Sequence, residues 1–317
     1  LSFGKWVPNV GVTLKMITFF ALIGAGISFA MGPDVKLAND FRIGAFVPEW
    51  SGSTQYISTI IYGMLGFELM SSASEEMKNP KRDVPRAILS SGILIFAMYV
   101  LGTFAILAVI PVEEIDLVEG LVDTFRQLFG TSTIGVASAT ILGGFALFTF
   151  FSNATTWALG ANRAAAEAAI DGDLPNFLAK EHPTYGTPVG AALTMGSIVT
   201  IILVAYGMLA GSNEELFWEL FAASAVIFLM PYVGAVAAFL RAREIDPDRE
   251  RPFRVPGGMG FATLITIVCI GILVMSILLF MYVPDVGFDW PVVFGAVAAI
   301  ALGEIAIRYA EHESRRQ

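Results

Sequence analysis

Two glycines and an acid share one short stretch, "YGMLGFELMSSASEEMKNPKRDVPR", residues 62 to 86. It starts as the tail of an apolar helix, passes Gly63 and Gly66, carries Glu68 into the apolar part, and ends among the cations Lys78, Lys81, Arg82 and Arg86. In hydrocarbon an unpaired backbone group is costly, so a helix comes apart only where it faces a cavity, water or a ligand. The two glycines permit such a break, which turns backbone dipoles toward a bound molecule. The other reading of them is close packing of small residues in an unbroken helix. An ionised Glu68 inside a helix costs about 2.5 to 3.5 kcal/mol on insertion scales. It must face a polar interior, be paired or protonated, or else sit near the interface and reach water or a cation. A carboxyl group in a poorly solvated site holds its proton more tightly and can trade it near physiological pH, whereas a charged lysine brought close acts in the opposite sense. Lys15, in the first apolar segment, is the lysine in question.

Composition says what surrounds these residues. Of 317 residues 56% are hydrophobic and 15% charged, and the mean hydropathy is +0.70. Average soluble domains carry roughly 25% charged residues. An all-α polytopic membrane protein in contact with the lipid bilayer follows. The single cysteine, Cys269, lies in an apolar run, and the two histidines, His182 and His312, lie outside every such run. Neither a disulfide framework nor a metal cluster can be assembled from them, and no cofactor is expected. The net charge of −9 argues against nucleic acid as a partner, because no basic stripe is available for a phosphate backbone. An enzyme acting within the bilayer would need a nucleophile and base or a metal site there, and no His-Glu-x-x-His occurs.

Crossing a hydrocarbon core takes about 20 apolar residues. Eight stretches qualify: Val10–Gly32, Ser51–Ser74, Ala87–Val112, Ile134–Asn162, Pro188–Met208, Leu220–Leu240, Phe261–Val283 and Pro291–Tyr309. The fourth exceeds what a bilayer needs, so its Asn162 end is expected to project as helix into water. Glu304 interrupts the last. Pro111 to Gly130, "PVEEIDLVEGLVDTFRQLFG", has apolar residues at helical spacing among acids, the pattern of a short amphipathic surface helix or of a plain connector. Lys and Arg of short loops stay on the cytoplasmic side. Three lie on one side of the eight segments, fifteen on the other and Lys15 inside the first, which puts both termini of the chain in the cytoplasm. A multi-pass protein of the cell (plasma or inner) membrane is expected. The first residue is Leu and no charged leader precedes the first span, so the chain reads as the back part of something longer.

The opening stretch resembles the sixth helix and following loop of the amino acid/polyamine/organocation (APC) permeases. Their pattern of an aromatic, Gly-Phe-Glu/Asp and then Glu-Glu-x-Lys-Asn-Pro-x-Arg-x-x-Pro-Arg is met by Tyr62, Gly66, Phe67, Glu68, Glu75, Glu76, Lys78, Asn79, Pro80, Arg82, Pro85 and Arg86. "TTWALGANRAAAEAAIDGDLP" (Thr155 to Pro175) resembles the end of the family's eighth helix and "RPFRVPGG" (Arg251 to Gly258) the loop before its eleventh. The Pro111 to Gly130 segment and the spacing of Trp157, Gly160 and Arg163 are most similar to the glutamate/γ-aminobutyrate antiporter branch. The resemblance implies an inverted five-plus-five repeat. Residues 10–32 then match the last helix of the first repeat, 51–240 the second repeat and 261–309 two accessory helices, all in a single transmembrane domain. The first four helices of the pattern have no counterpart, and these N-terminal helices of the same protein count among the expected partners.

The implied activity is secondary active transport of amino acids or related amines by alternating access, proton-coupled or by exchange. A non-transporting sensor or a channel-like protein of the same fold is the alternative. Tyr62, Gly63, Met64, Gly66 and Phe67 take the place of the substrate-facing break, with Met64 standing where many members have an aromatic. Lys15 matches a fifth-helix lysine that in some members occupies the place of sodium, implying proton coupling or plain exchange; otherwise it snorkels to the cytoplasmic face. Glu75, Glu76 and Arg82 are implied in an inner gate alongside Glu68, although as loop charges they also read as inside anchors. Asn153, an amide in the interior of the fourth span, bonds either a ligand or a neighbouring helix.

Overall fold

The computed structural model describes residues 6–33, 35–42, 44, 47, 50–66, 78–116, 120–249, 251, 255–283 and 287–315. Nine α-helices occur among the described residues: α1 (Trp6–Ala30), α2 (Trp50–Gly63), α3 (Pro80–Val109), α4 (Gly120–Phe129), α5 (Thr133–Ile170), α6 (Val189–Leu209), α7 (Asn213–Ile245), α8 (Gly258–Met281) and α9 (Trp290–Ser314). All but α2 and α4 are long and apolar enough to cross a membrane, seven in number. The chain is an all-α polytopic membrane protein. The sequence predicts an eighth span at Ser51–Ser74; its described part ends at Gly66, and its helix stops at Gly63.

Local chemistry sets the helix ends. At α3, Pro80 takes the first helical position, where a missing N–H costs nothing. The Asn79 carbonyl accepts from the amides of Arg82 (3.1 Å) and Asp83 (2.9 Å), and the Asp83 carboxylate accepts from the Asn79 amide at 3.3 Å. The Asn-Pro of the loop motif is therefore a helix start. Ser132 caps α5 by accepting from the Gly135 amide at 3.1 Å. That helix ends where Gly172 adopts φ +88, letting the Asp173 amide reach back to Ala168. At α7 the Ser212 hydroxyl accepts from the Glu215 amide while the Glu215 carboxylate accepts from Gly211, a reciprocal cap.

The far end of α7 is closed by an arginine. The Arg251 guanidinium donates to the carbonyls of Ala242 (3.0 Å), Asp246 (2.6 Å) and Arg249 (3.1 Å), so a cation sits where the helix leaves acceptors unpaired. Arg251→Gln is expected to lower stability by about 1 kcal/mol, the scale of one or two net hydrogen bonds at a partly exposed site. A parent-like thermal midpoint in detergent would contradict this.

Two compact units divide the chain: Leu1–Arg42 with Met98–Leu209 and Ala301–Gln317, and Ile43–Ala97 with Ala210–Ile300. In the first, α1 lies along α5 because Gly11 has no side chain to collide with Ser152, whose hydroxyl donates to the Val7 carbonyl at 3.0 Å. The core is Leu22, Ala105, Phe125, Ala139 and Leu142. Phe125 and Thr124 of α4 are fully buried. The apolar stripe seen between Pro111 and Gly130 is therefore turned to the protein's own interior, while Arg126 and Gln127 of α4 stay exposed. At the α5–α6 corner the Glu313 carboxylate, from the end of α9, accepts from the Asn176 amide at 3.0 Å. Along α6 only Ala191 and Tyr206 are buried.

The second unit is centred on α7 and α8, with Ala222, Ala225, Val226, Leu229, Leu273, Phe280, Val292 and Ala296 as its core. Val292 and Ala296 come from the start of α9, which Asp289 caps by accepting from the Val292 amide at 3.2 Å. The link from α8 to α9 pairs Tyr282 with Phe288 and Val283 with Gly287 in a two-residue antiparallel ladder.

Candidate functional site

The end of α2 is built from three successive devices. Tyr62 is half-buried, its ring meeting Phe221, Phe228 and Phe280 edge-on at centroid distances of 5.2, 5.7 and 6.3 Å. The Met64 amide is shared between the carbonyls of Ile60 (3.1 Å) and Ile61 (3.2 Å), and the Leu65 amide reaches Tyr62 at 3.1 Å, so the last turn tightens. Gly66 then adopts φ +103, which side chains rarely tolerate. A β-carbon on Gly66 would meet none of the described residues within 4 Å. The glycine is required there by backbone direction, and close packing does not explain it. A helix end in an apolar segment leaves carbonyls without intrahelical partners, the groups that can meet an ammonium.

The Tyr62 ring anchors the end of α2 on α7 and α8, a packing role that the sequence reading did not assign to it. Gly63 is the last helical residue and Met64 the turn after it, both half-buried. Phe67, Glu68, Glu75 and Glu76 lie outside the described residues. Arg82 is exposed in the first turn of α3, within the second unit. Lys15 and Asn153 belong to the first unit: Lys15 is half-buried midway along α1, and Asn153 is exposed on α5, as is Trp157 with 49% of its surface accessible. Within the second unit Tyr62, Gly63, Met64 and Gly66 follow one another at the end of α2.

Spacing did not single out two further polar groups, one in each unit. One Glu219 carboxylate oxygen in α7 and the Asn162 amide oxygen in α5 are buried without a hydrogen-bond partner among the described residues. Glu219 falls one residue before the predicted sixth span, so hydropathy placed it in a loop, whereas α7 begins at Asn213 and takes it into the helix. Among the described residues no group of three or more His, Cys, Asp or Glu could hold a metal ion.

A multi-pass helical protein with a helix ending at glycines inside an apolar segment can turn backbone groups toward a bound molecule. Comparison with known proteins gives the family: a family profile for amino acid permeases matches residues 1–302, and the chain belongs to that family. It is 33% identical over 315 residues to the probable agmatine/putrescine antiporter AguD of Lactococcus lactis subsp. lactis (strain IL1403), covering 97% of this chain and 66% of that protein. It is 27% identical to the glutamate/gamma-aminobutyrate antiporter of the same strain, covering 78% and 49%. The amino-acid permease AapA of Bacillus subtilis (strain 168) is also 27% identical, with 79% and 53% covered. The chain thus spans from about half to 66% of the length of these relatives. These relatives are permeases and antiporters, not enzymes.

Proposed function

We propose that this chain forms the second-repeat side of a secondary carrier for amino acids or related amines, working by alternating access and coupled to protons or to exchange. The observation that carries the reading is the end of α2 at Gly63, with Gly66 at φ +103, in a chain of the amino acid permease family. Relatives named as antiporters for agmatine/putrescine and for glutamate/gamma-aminobutyrate support exchange and a substrate bearing an amine. Tyr62, Gly63, Met64, Gly66 and Phe67 form the substrate side of the break, and Asn153 contributes from α5. Lys15, Glu68, Glu75, Glu76 and Arg82 serve coupling and gating. The uneven spread of cations supports cytoplasmic termini. The substrate site is completed by helices preceding those of this chain in the family pattern.

Counterflow in liposomes tests this reading on a full-length protein carrying this chain. Internal amino acid or amine accelerates uptake of labelled substrate in a carrier. Flux without such trans-stimulation identifies a channel, and binding without flux a sensor. For coupling, Glu68→Gln is expected to keep substrate affinity within about tenfold, roughly 1.4 kcal/mol, while flattening the pH dependence of transport, since glutamine keeps shape and hydrogen bonding but not the titrating proton. A Gln variant whose pH profile overlays the parent's removes Glu68 from the coupling path.

A further inference from the structure

Four residues of the α1–α2 connection meet the C-terminal end of α3, each in its own way. Leu37 packs with Phe29 and Leu128 over the buried Ala108, Val109 and Ile110. The Ala38 amide donates to the Ala108 carbonyl at 3.0 Å. The Asn39 side chain donates through Nδ2 to the carbonyls of Leu107 (2.8 Å) and Ile110 (2.7 Å), and its Oδ1 accepts from the Val112 amide at 3.1 Å. The Phe41 ring meets Phe104 edge-on at 5.0 Å.

A helix leaves its last carbonyls without partners inside itself, and the usual remedy is a left-handed glycine just past the end. The residues after α3 are Ile110 and Pro111, and Pro111 has no N–H to give. Two donors on one amide, from a residue 68 positions away from Leu107, take the place of that cap. A third donor comes from the neighbouring backbone. The Val112 amide, at the start of a 3₁₀ turn (Val112–Glu114), completes the amide's bonding. The side chain is used on both ends, so its nitrogen cannot be exchanged for oxygen without turning an attraction to two carbonyls into a repulsion.

We propose that residues 37–41 are a closed strap that caps α3 from outside the helix and gives the chain leading into α2 a fixed point, with Asn39 holding it shut. Phe41 holds the far end of the strap on Phe104, and α2 begins nine residues later in the sequence, at Trp50. The strap stands on its own geometry and is independent of what the protein carries.

Hydrogen exchange followed by mass spectrometry on the whole chain in lipid nanodiscs tests it. Asn39→Ala is expected to speed exchange in the peptide covering residues 106–112 by about tenfold or more, because opening no longer breaks three side-chain hydrogen bonds. Peptides from the middle of α5 should keep the parent rate. Asn39→Asp, nearly the same shape, is expected to be more damaging than alanine at neutral pH and to recover toward the alanine value as the pH falls, since a protonated carboxyl regains one donor. If Asn39→Asp does not fold, Asn39→Ala alone decides by the local character of the change. Parent-like exchange at 106–112 in Asn39→Ala, or an aspartate variant protected as well as the parent, overturns the strap.

Discussion

Substrate binding falls below detection, a loss of at least a hundredfold, when Gly66 is replaced by leucine in a full-length protein carrying this chain. The expectation combines two features of the end of α2. At φ +103 an L-residue is strained, and leucine relieves that strain by turning the backbone and with it the carbonyls that the break presents. The new side chain also fills space that is open around Gly66. Because no described residue within 4 Å of that β-carbon has to be displaced, the fold itself should survive, with a stability cost of about 1 to 2 kcal/mol from the backbone alone. Binding by isothermal titration set beside a thermal melt separates the outcomes. A leucine variant that binds like the parent would show that the glycine serves only to end the helix.

The second large effect is one of folding. Gly26 of α1 lies against Ala105 of α3 so closely that a β-carbon on Gly26 would overlap the Ala105 methyl and come within 2.7 Å of its α-carbon. Both helices contribute to the same core, since Leu22 and Ala105 are buried together. Small residues of this kind are how membrane helices approach closely. Gly26→Leu sets a side chain against backbone, which cannot swing away, and is expected to cost about 3 kcal/mol, the upper part of the range for overpacking. Two residues earlier Gly24 has nothing within 4 Å of its built β-carbon, so Gly24→Ala provides a matched control expected to melt with the parent. Equal melting of the Gly26 and Gly24 variants would mean that α1 and α3 do not cross there.

Seven of the eight predicted spans coincide with helices of membrane length, because hydropathy reports on a solvent and each helix satisfies its backbone internally. The end of α2 was readable for the same reason: glycines in an apolar segment have few uses. What stayed hidden depended on partners far away in sequence. The stripe on α4 gave its face but not what covers it, and a stripe facing lipid headgroups looks the same as one facing Leu22 and Leu142. Tyr62 was noticed as an aromatic before a break, yet its three phenylalanine neighbours come from residues 221, 228 and 280, which no local pattern connects to it. Asn39 was passed over as one polar residue in a loop, for neither of its accepting carbonyls leaves any mark on the sequence around it. Glu219 was missed by one position at a span boundary, where hydropathy windows are least sharp.

The length of α5 has a mechanical consequence. Its 38 residues make a rod of about 57 Å at about 1.5 Å per residue, against a hydrocarbon thickness of about 30 Å. Roughly 27 Å of continuous helix is therefore left to stand outside the hydrocarbon. A rod so placed is a pointer: a tilt of about 10° within the membrane sweeps its tip through about 5 Å, by the same rise per residue. Glu167 is exposed near that tip and forms no ion pair among the described residues, so a spin label there magnifies small rotations into distances that pulsed resonance can resolve. Small rotations of α5 become measurable from the water, at a residue outside those proposed for binding and coupling.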